Sequence, residues 1–173
     1  MFKKLLIASA VFAISSGVAF ADGGYAGYSG GMRDNIKNTN SYRGLEGRLF
    51  LGYGTIVNPA FYFGGEIFGA PGSMSINNNG LKTTYEYGVS LVPSMVISEH
   101  AMMFLRLGIV RTHFNSANKT ISGGQLGVGV QTGLTQSWDL RAEYIYTAFN
   151  TVNSATGAPK ADQAYLGLVY KFE

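Results

Sequence analysis

The chain contains no cysteine. That absence excludes a disulfide framework, thiolate metal centres, cysteine nucleophiles and a lipid-modified N-terminal cysteine. Charge is thin as well. Asp, Glu, Lys and Arg make up 13% of 173 residues, about half the share usual in a soluble domain. Much of the surface is therefore expected to face something other than water. Long apolar runs are missing after Ala21, so the remaining chain offers no membrane-spanning helix. Helical periodicity is scarce too. The length suits one domain.

The first residues form a processing segment. Lys3 and Lys4 give a positive start, Leu5 to Ile14 an apolar stretch, and Ala19-Phe20-Ala21 a small-x-small site before Asp22. This is the pattern of a cleaved signal peptide over residues 1–21, leaving a single domain over 22–173. Its removal takes two lysines with it, so 11 basic residues face 10 acidic ones. A near-neutral mature chain gives no reason to expect a nucleic-acid partner.

Glycine (24), tyrosine (11) and phenylalanine (11) are plentiful, and they fall into a period-two pattern. In Gln163 to Glu173, Ala164, Leu166, Leu168, Tyr170 and Phe172 alternate with Gln163, Tyr165, Gly167, Val169 and Lys171. Trp138, Leu140, Ala142, Tyr144 and Tyr146 alternate with Asp139, Arg141, Glu143, Ile145 and Thr147 in the same way. Successive side chains of a strand point to opposite faces, so each segment has one oily face and one small or polar face. Eight such segments are predicted, at 23–33, 43–54, 59–70, 83–97, 101–114, 122–135, 138–149 and 162–173. The first, rich in glycine, is the weakest.

A soluble barrel would enclose its bulky apolar face. Here the polar face carries glycine, serine and a few charges, which suit the narrow lumen of an eight-stranded barrel. The bulky face, tipped with aromatics, suits lipid. Closure would leave no unpaired edge in hydrocarbon. The fold expected is all-β, an eight-stranded antiparallel up-and-down transmembrane barrel. Links alternate as well. Asp34–Tyr42, Pro71–Lys82 and Asn150–Ala161 are long and Asn115–Ile121 moderate, whereas Thr55–Asn58, Ser98–His100 and Gln136–Ser137 are tight. Short turns on the periplasmic side and longer loops outside would follow.

The chain thereby resembles the small eight-stranded outer-membrane barrel superfamily, which includes the transmembrane domain of outer membrane protein A and the opacity-protein-like barrels. The resemblance rests on this pattern and on the terminal run Leu166, Leu168, Tyr170, Phe172, from which the chain departs by adding Glu173. It implies a cell outer membrane location, lipopolysaccharide and membrane lipids as surroundings, and periplasmic chaperones and the barrel-insertion machinery as partners in assembly. With the barrel ending the chain, no peptidoglycan-binding domain is expected.

Inward charges are expected at Glu46, Arg48, Glu66, Glu86, Arg106, Arg141 and Glu143, with Lys171 at the margin. Isolated buried charges are costly, so these should pair across the lumen. Such a network is either a structural plug or, as the resemblance implies, a gate worked by exchange of ion pairs. Neither histidine builds a catalytic set. His113 lies near Ser116 but without the spacing of the lipid-A deacylases, and His100 sits in a turn beside Glu99. Glycines 23–31 lack the strand-then-helix setting of a phosphate loop. No enzyme activity, cofactor or metal is expected. Seven cations, Arg33, Lys37, Arg43, Lys82, Arg111, Lys119 and Lys160, are expected at the outer rim, where they could meet lipopolysaccharide phosphates. The leading functional reading is a structural or surface-interaction barrel, adhesin-like in its exposed loops and able to meet a host or environmental surface. A small gated pore and a soluble periplasmic lipid-binding barrel are the alternatives.

Overall fold

A computed structural model of the chain describes residues 23–37, 40–75, 83–114, 119–150 and 158–172. The expected signal peptide, Lys82 and Glu173 lie outside these residues. The strands are β1 (Gly23–Lys37), β2 (Asn40–Asn58), β3 (Phe61–Ala70), β4 (Ser73–Ser75), β5 (Thr83–Ser98), β6 (Ala101–Phe114), β7 (Lys119–Gly133), β8 (Trp138–Phe149) and β9 (Lys160–Lys171). Each long strand pairs antiparallel with the next, and β1 pairs with both β2 and β9. That double pairing closes an eight-stranded barrel, the architecture expected. The three-residue β4 continues the rung beside β2, from Glu46↔Ser73 to Gly44↔Ser75. Between β3 and β4, Gly72 adopts φ +101°, and a Cβ there would lie 2.5 Å from the carbonyl oxygens of Thr83 and Thr84. Only glycine fits that corner.

The faces point as the alternation predicts. Gln163, Tyr165 and Val169 are buried, while Leu166 is 58% exposed on the outside. Leu126 and Tyr144 are likewise exposed rather than gathered into a central core. The wall therefore presents its oil outward.

Inside, glycine makes room for aromatic rings. Tyr25 lies over Gly52, Phe50 over Gly27, Phe68 over Gly88, Phe104 over Gly129, and Tyr165 over Gly31. In each pair the two residues are direct cross-strand partners. A ring laid flat across the neighbouring strand needs a partner without a side chain, which accounts for the glycines along the inward face.

Strand ends differ from expectation. Residues 34–37 and 40–42, expected in a loop, are paired down to Lys37↔Asn40. The ladder outruns the oily stripe there, and the cross-strand pair Asp34–Arg43, 3.2 Å apart, joins its polar extension. Residues 119–121 are likewise strand, and Thr55–Asn58 extends β2, so the turn falls at Pro59-Ala60, where Asn58 Oδ1 accepts the Ala60 N–H at 2.9 Å. At the end of β7, Leu134 and Thr135 leave the strand. Thr135 Oγ1 accepts the Trp138 N–H at 3.0 Å, which shapes the turn into β8. Turns 59–60, 99–100 and 134–137 share one end of the barrel with Gly23 and Phe172, and the links after β1, β4, β6 and β8 share the other, where strand extension leaves only residues 38–39 between β1 and β2 and 115–118 between β6 and β7 in place of the longer links expected.

Glycine position decides tolerance to a methyl group. A Cβ at Gly31 would sit 2.0 Å from the Ala164 carbonyl oxygen, whereas one at Gly124 meets nothing within 4 Å. Gly31→Ala should lower unfolding free energy by about 1–3 kcal/mol, as overpacking does, and Gly124→Ala by almost nothing. Urea unfolding followed by heat-modifiable migration on gels checks this; equal costs would refute the packing account.

Candidate functional site

The barrel interior holds the densest chemistry among the described residues. Each inward charge sits at the polar parity of its strand, so the sheet register alone brings it to the axis. On the side of the tight turns, Lys171 Nζ lies 2.9 Å from Asp139 Oδ1, and Gln131 Nε2 donates to Asp139 Oδ2 at 2.6 Å. Gln131 accepts in turn from Arg141 Nε at 2.8 Å, and Arg141 Nη1 donates to Glu66 Oε1 at 2.6 Å. Arg106 completes this tier. It binds Glu66 Oε2 at 2.5 Å through Nη2, Ser90 Oγ at 2.5 Å through Nη1, and Glu143 through Nε. Tyr25 adds a hydroxyl donor to Glu66 at 2.9 Å.

A second tier lies toward the long links. Arg33 Nη1 bridges Glu46, at 3.2 Å, and Glu86, at 2.6 Å. Thr112 donates to Glu86 at 2.8 Å and Tyr165 to Glu46 at 2.8 Å. Arg48 is different. Its Nη2 donates to Gln125 at 3.2 Å, its guanidinium stacks 3.6 Å above the centre of the Phe68 ring, and no carboxylate pairs with it among the described residues. Gln125 passes the contact on by donating to Glu86 at 3.3 Å. Arg141 is caged similarly, 4.7 Å from the Phe50 ring centre and 4.8 Å from that of Phe104. Stacking on rings suits the flat, weakly hydrated guanidinium and would not suit lysine.

The described interior thus holds Arg33, Arg48, Arg106, Arg141 and Lys171 against Glu46, Glu66, Glu86, Glu143 and Asp139, and the charges cancel. A cavity of about 20 Å³ beside Tyr25, Arg141 and Lys171 has room for one water molecule. Beyond it, toward the long links, the two tiers of ion pairs cross the lumen.

Every residue expected in the lumen lies in it. Two charges expected elsewhere join them. Arg33, expected at the outer rim, is fully buried, and Asp139, which its place beside a tight turn would put at a rim, is fully buried with Lys171. Both follow the parity of their strands: Arg33 shares the inward face of Tyr25 and Ser29, which the glycines of β1 obscure. Parity also held the signal for Tyr25, Gln125, Gln131 and Tyr165. Of the remaining rim cations, Arg43, Arg111 and Lys160 are exposed at the end with the long links. Lys37 ends β1 and Lys119 begins β7 at that end. Leu166, Leu168 and Tyr170 on β9, with Phe172 just past its end, form an outward stripe, and Tyr170 meets Trp138 and Phe172 edge-to-face.

A closed barrel with an oily exterior and a self-neutralised interior agrees with what comparison with known proteins finds. The family model of the outer membrane protein beta-barrel domain matches residues 5–172. The chain belongs to that family. No curated protein matches it. Neisserial surface protein A is similar in structure, with TM-score 0.67 and 19% identity over 86% of this chain and 97% of that one. Ail, the attachment invasion locus protein of Yersinia pestis, is similar at TM-score 0.57 and 16% identity, over 88% of this chain and 100% of its own. A further Ail structure, in complex with the heparin analogue sucrose octasulfate, is similar at TM-score 0.55 and 18% identity, over 87% of this chain and 99% of its own. As an outer membrane β-barrel, the chain resides in the outer membrane, with its exposed stripe against lipid.

Glu66 carries the inner tier, because two arginines depend on it. Glu66→Gln should therefore cost about 3–5 kcal/mol, the usual result of stranding buried charge. Arg48→Gln should cost less, since stacking and one amide contact are lost but no ion pair. Unfolding in lipid vesicles measures both, and a larger cost for Arg48 would contradict this ranking.

Proposed function

We propose that this outer membrane barrel is a non-catalytic surface protein, a filled anchor that presents a cationic outer rim to polyanionic surfaces. One observation carries the reading. Four interior cations, Arg33, Arg106, Arg141 and Lys171, are ion-paired inside the barrel, whereas Arg111 and Lys160, together with Arg43 beside Asp34, stand exposed at the end with the long links. Lys37 ends β1 and Lys119 begins β7 at the same end. Exposed cations recognise phosphate and sulfate through charge-assisted hydrogen bonds. Lipopolysaccharide phosphates in the barrel's own leaflet and sulfated or phosphorylated groups on a host or environmental surface both have that chemistry. The complex of Ail with a heparin analogue supports it by likeness of fold.

The network of Glu46, Arg48, Glu66, Glu86, Arg106, Arg141 and Glu143 is the structural plug in this reading. A gated pore is less well supported, since the cavity beside Tyr25 and Arg141 has room for a single water and the tiers beyond it are ion-paired. The soluble lipid-binding alternative would need the reverse arrangement of faces. The outward stripe Leu166, Leu168, Tyr170 and Phe172 is assigned to the barrel-insertion machinery, after export directed by residues 1–21 and escort by periplasmic chaperones.

Cells displaying the protein should bind heparin-coated beads, and the combined change Arg43→Glu, Arg111→Glu and Lys160→Glu should cut binding about tenfold, the order expected for losing a few exposed charge pairs. Unchanged binding would remove the rim from the function. Planar-bilayer recordings should stay at baseline, and stepwise openings would favour the pore.

A further inference from the structure

The outer wall carries a cleft of about 810 Å³ at the end of the barrel that holds the long links. Its rows are set by the ladder. The upper row is Tyr87, Arg111 and Ser122, and the row below is Val89, Ile109 and Gly124. All of these side chains face outward. Ile109 is 67% exposed because its neighbour is Gly124, at which an added Cβ would meet nothing within 4 Å. The floor is a hydrocarbon trough. Above it the Asn150 backbone N–H donates to the Ser122 carbonyl at 2.9 Å and caps the trough with polar groups.

Height fixes what can lie there. Arg111 stands ten residues along β6 from Ala101, at the tight-turn end. At about 3.3 Å per residue and a tilt near 40°, that is about 25 Å, the thickness of the apolar band of such barrels. Arg111 is therefore level with lipid headgroups while Ile109 and Gly124 are level with the first carbons of the chains. No carboxylate pairs with Arg111 among the described residues, and its row neighbours are a phenol and a hydroxyl. The described wall thus offers Arg111 no carboxylate of its own.

A second cleft of about 810 Å³ lies lower on the same wall, around Gly65, Leu51, Leu91 and Leu107. Its outward lining is aliphatic apart from Tyr53 and carries no cation. Ordinary acyl chains would fill either trough equally, and only the upper one couples a trough to a cation.

We propose that the cleft at Arg111 is a binding site for one phosphorylated lipid of the outer leaflet, its phosphate on Arg111 and Ser122 and an acyl chain across Ile109 and Gly124. This rests on the reading that the long links face outward, and it narrows that rim's anion binding to one discrete lipid site on the wall.

The test uses the exported full-length protein, extracted in neutral detergent and weighed by native mass spectrometry with lipid A bearing both phosphates, or the same lipid with its phosphates removed. The wild type should retain one bisphosphorylated lipid. Retention should fall about tenfold for the dephosphorylated lipid and for Arg111→Gln, the loss expected of one charge-assisted contact. Gly124→Leu should reduce it comparably by filling the trough, and Gly65→Leu should leave it unchanged. Equal retention by Arg111→Gln, equal retention of the dephosphorylated lipid, or loss with Gly65→Leu would overturn the proposal. So would a protein dimer abolished by Gly124→Leu, because a second copy would then occupy the cleft. Bead binding by Arg43→Glu with Lys160→Glu, which leaves the cleft intact, reports on the rim separately, so the lipid site can fail while the rim reading stands.

Discussion

A closed eight-stranded wall leaves an interior only a side chain or two wide, and everything within it must be satisfied without bulk water. The structure answers that constraint in a fixed order, leaving a few atoms such as Arg48 Nε and Nη1 without a hydrogen-bond partner among the described residues. Glycine on one strand admits an aromatic ring from the next; the ring offers its face to a guanidinium; the guanidinium reaches a carboxylate. Gly129, Phe104, Arg141 and Glu66 form one such chain, and Gly88, Phe68, Arg48 and Gln125 another that ends on an amide. The links depend on one another. A side chain at the glycine would lift the ring, and a lifted ring would remove the surface that holds the arginine in reach of its partner.

This order also explains why lysine is nearly absent from the described interior. Arginine is flat, stacks, and forks toward two acceptors, so Arg106 serves Glu66, Glu143 and Ser90 at once. The inward Lys171 sits at the tight-turn end, where its strand meets water and a point charge needs only Asp139. Outside, the solvent is hydrocarbon, and each strand offers it the leucines, isoleucines and tyrosines that a soluble barrel would hide. Interior and exterior are thus met differently, one mostly by ion pairing and ring stacking and the other by lipid.

Much of this was legible in the sequence because parity is a strict rule. Once a segment is extended, odd and even positions part company, and the lumen positions of Glu46, Glu66, Glu86, Arg106, Arg141 and Glu143 follow. Arg33 shows where a looser rule misleads. The polar residues after it suggest a rim, yet the strand continues to Lys37 and its parity turns Arg33 inward. Asp139 misleads in the same way, since closeness to a turn suggests a rim while the alternation it obeys buries it. Partner choice was beyond reach for a different reason. That Arg33 joins Glu46 and Glu86 while Arg48 finds only Gln125 depends on the stagger of facing strands around the barrel, and stagger leaves no mark within any one strand.

Arg33 and Arg111 differ in nothing but parity. Both stand near the outer ends of long strands, and composition cannot separate them. One lies on the parity of Tyr25 and Ser29 and disappears into a pair of carboxylates; the other lies on the parity of Leu107 and Ile109 and meets the lipid boundary without a carboxylate among the described residues. A shift of one residue in β1 would turn Arg33 outward, leaving Glu46 and Glu86 inside without it and an extra charge against the membrane. The ion network inside the barrel therefore fixes the register of the wall, and through it which cations remain outside for the surface to use.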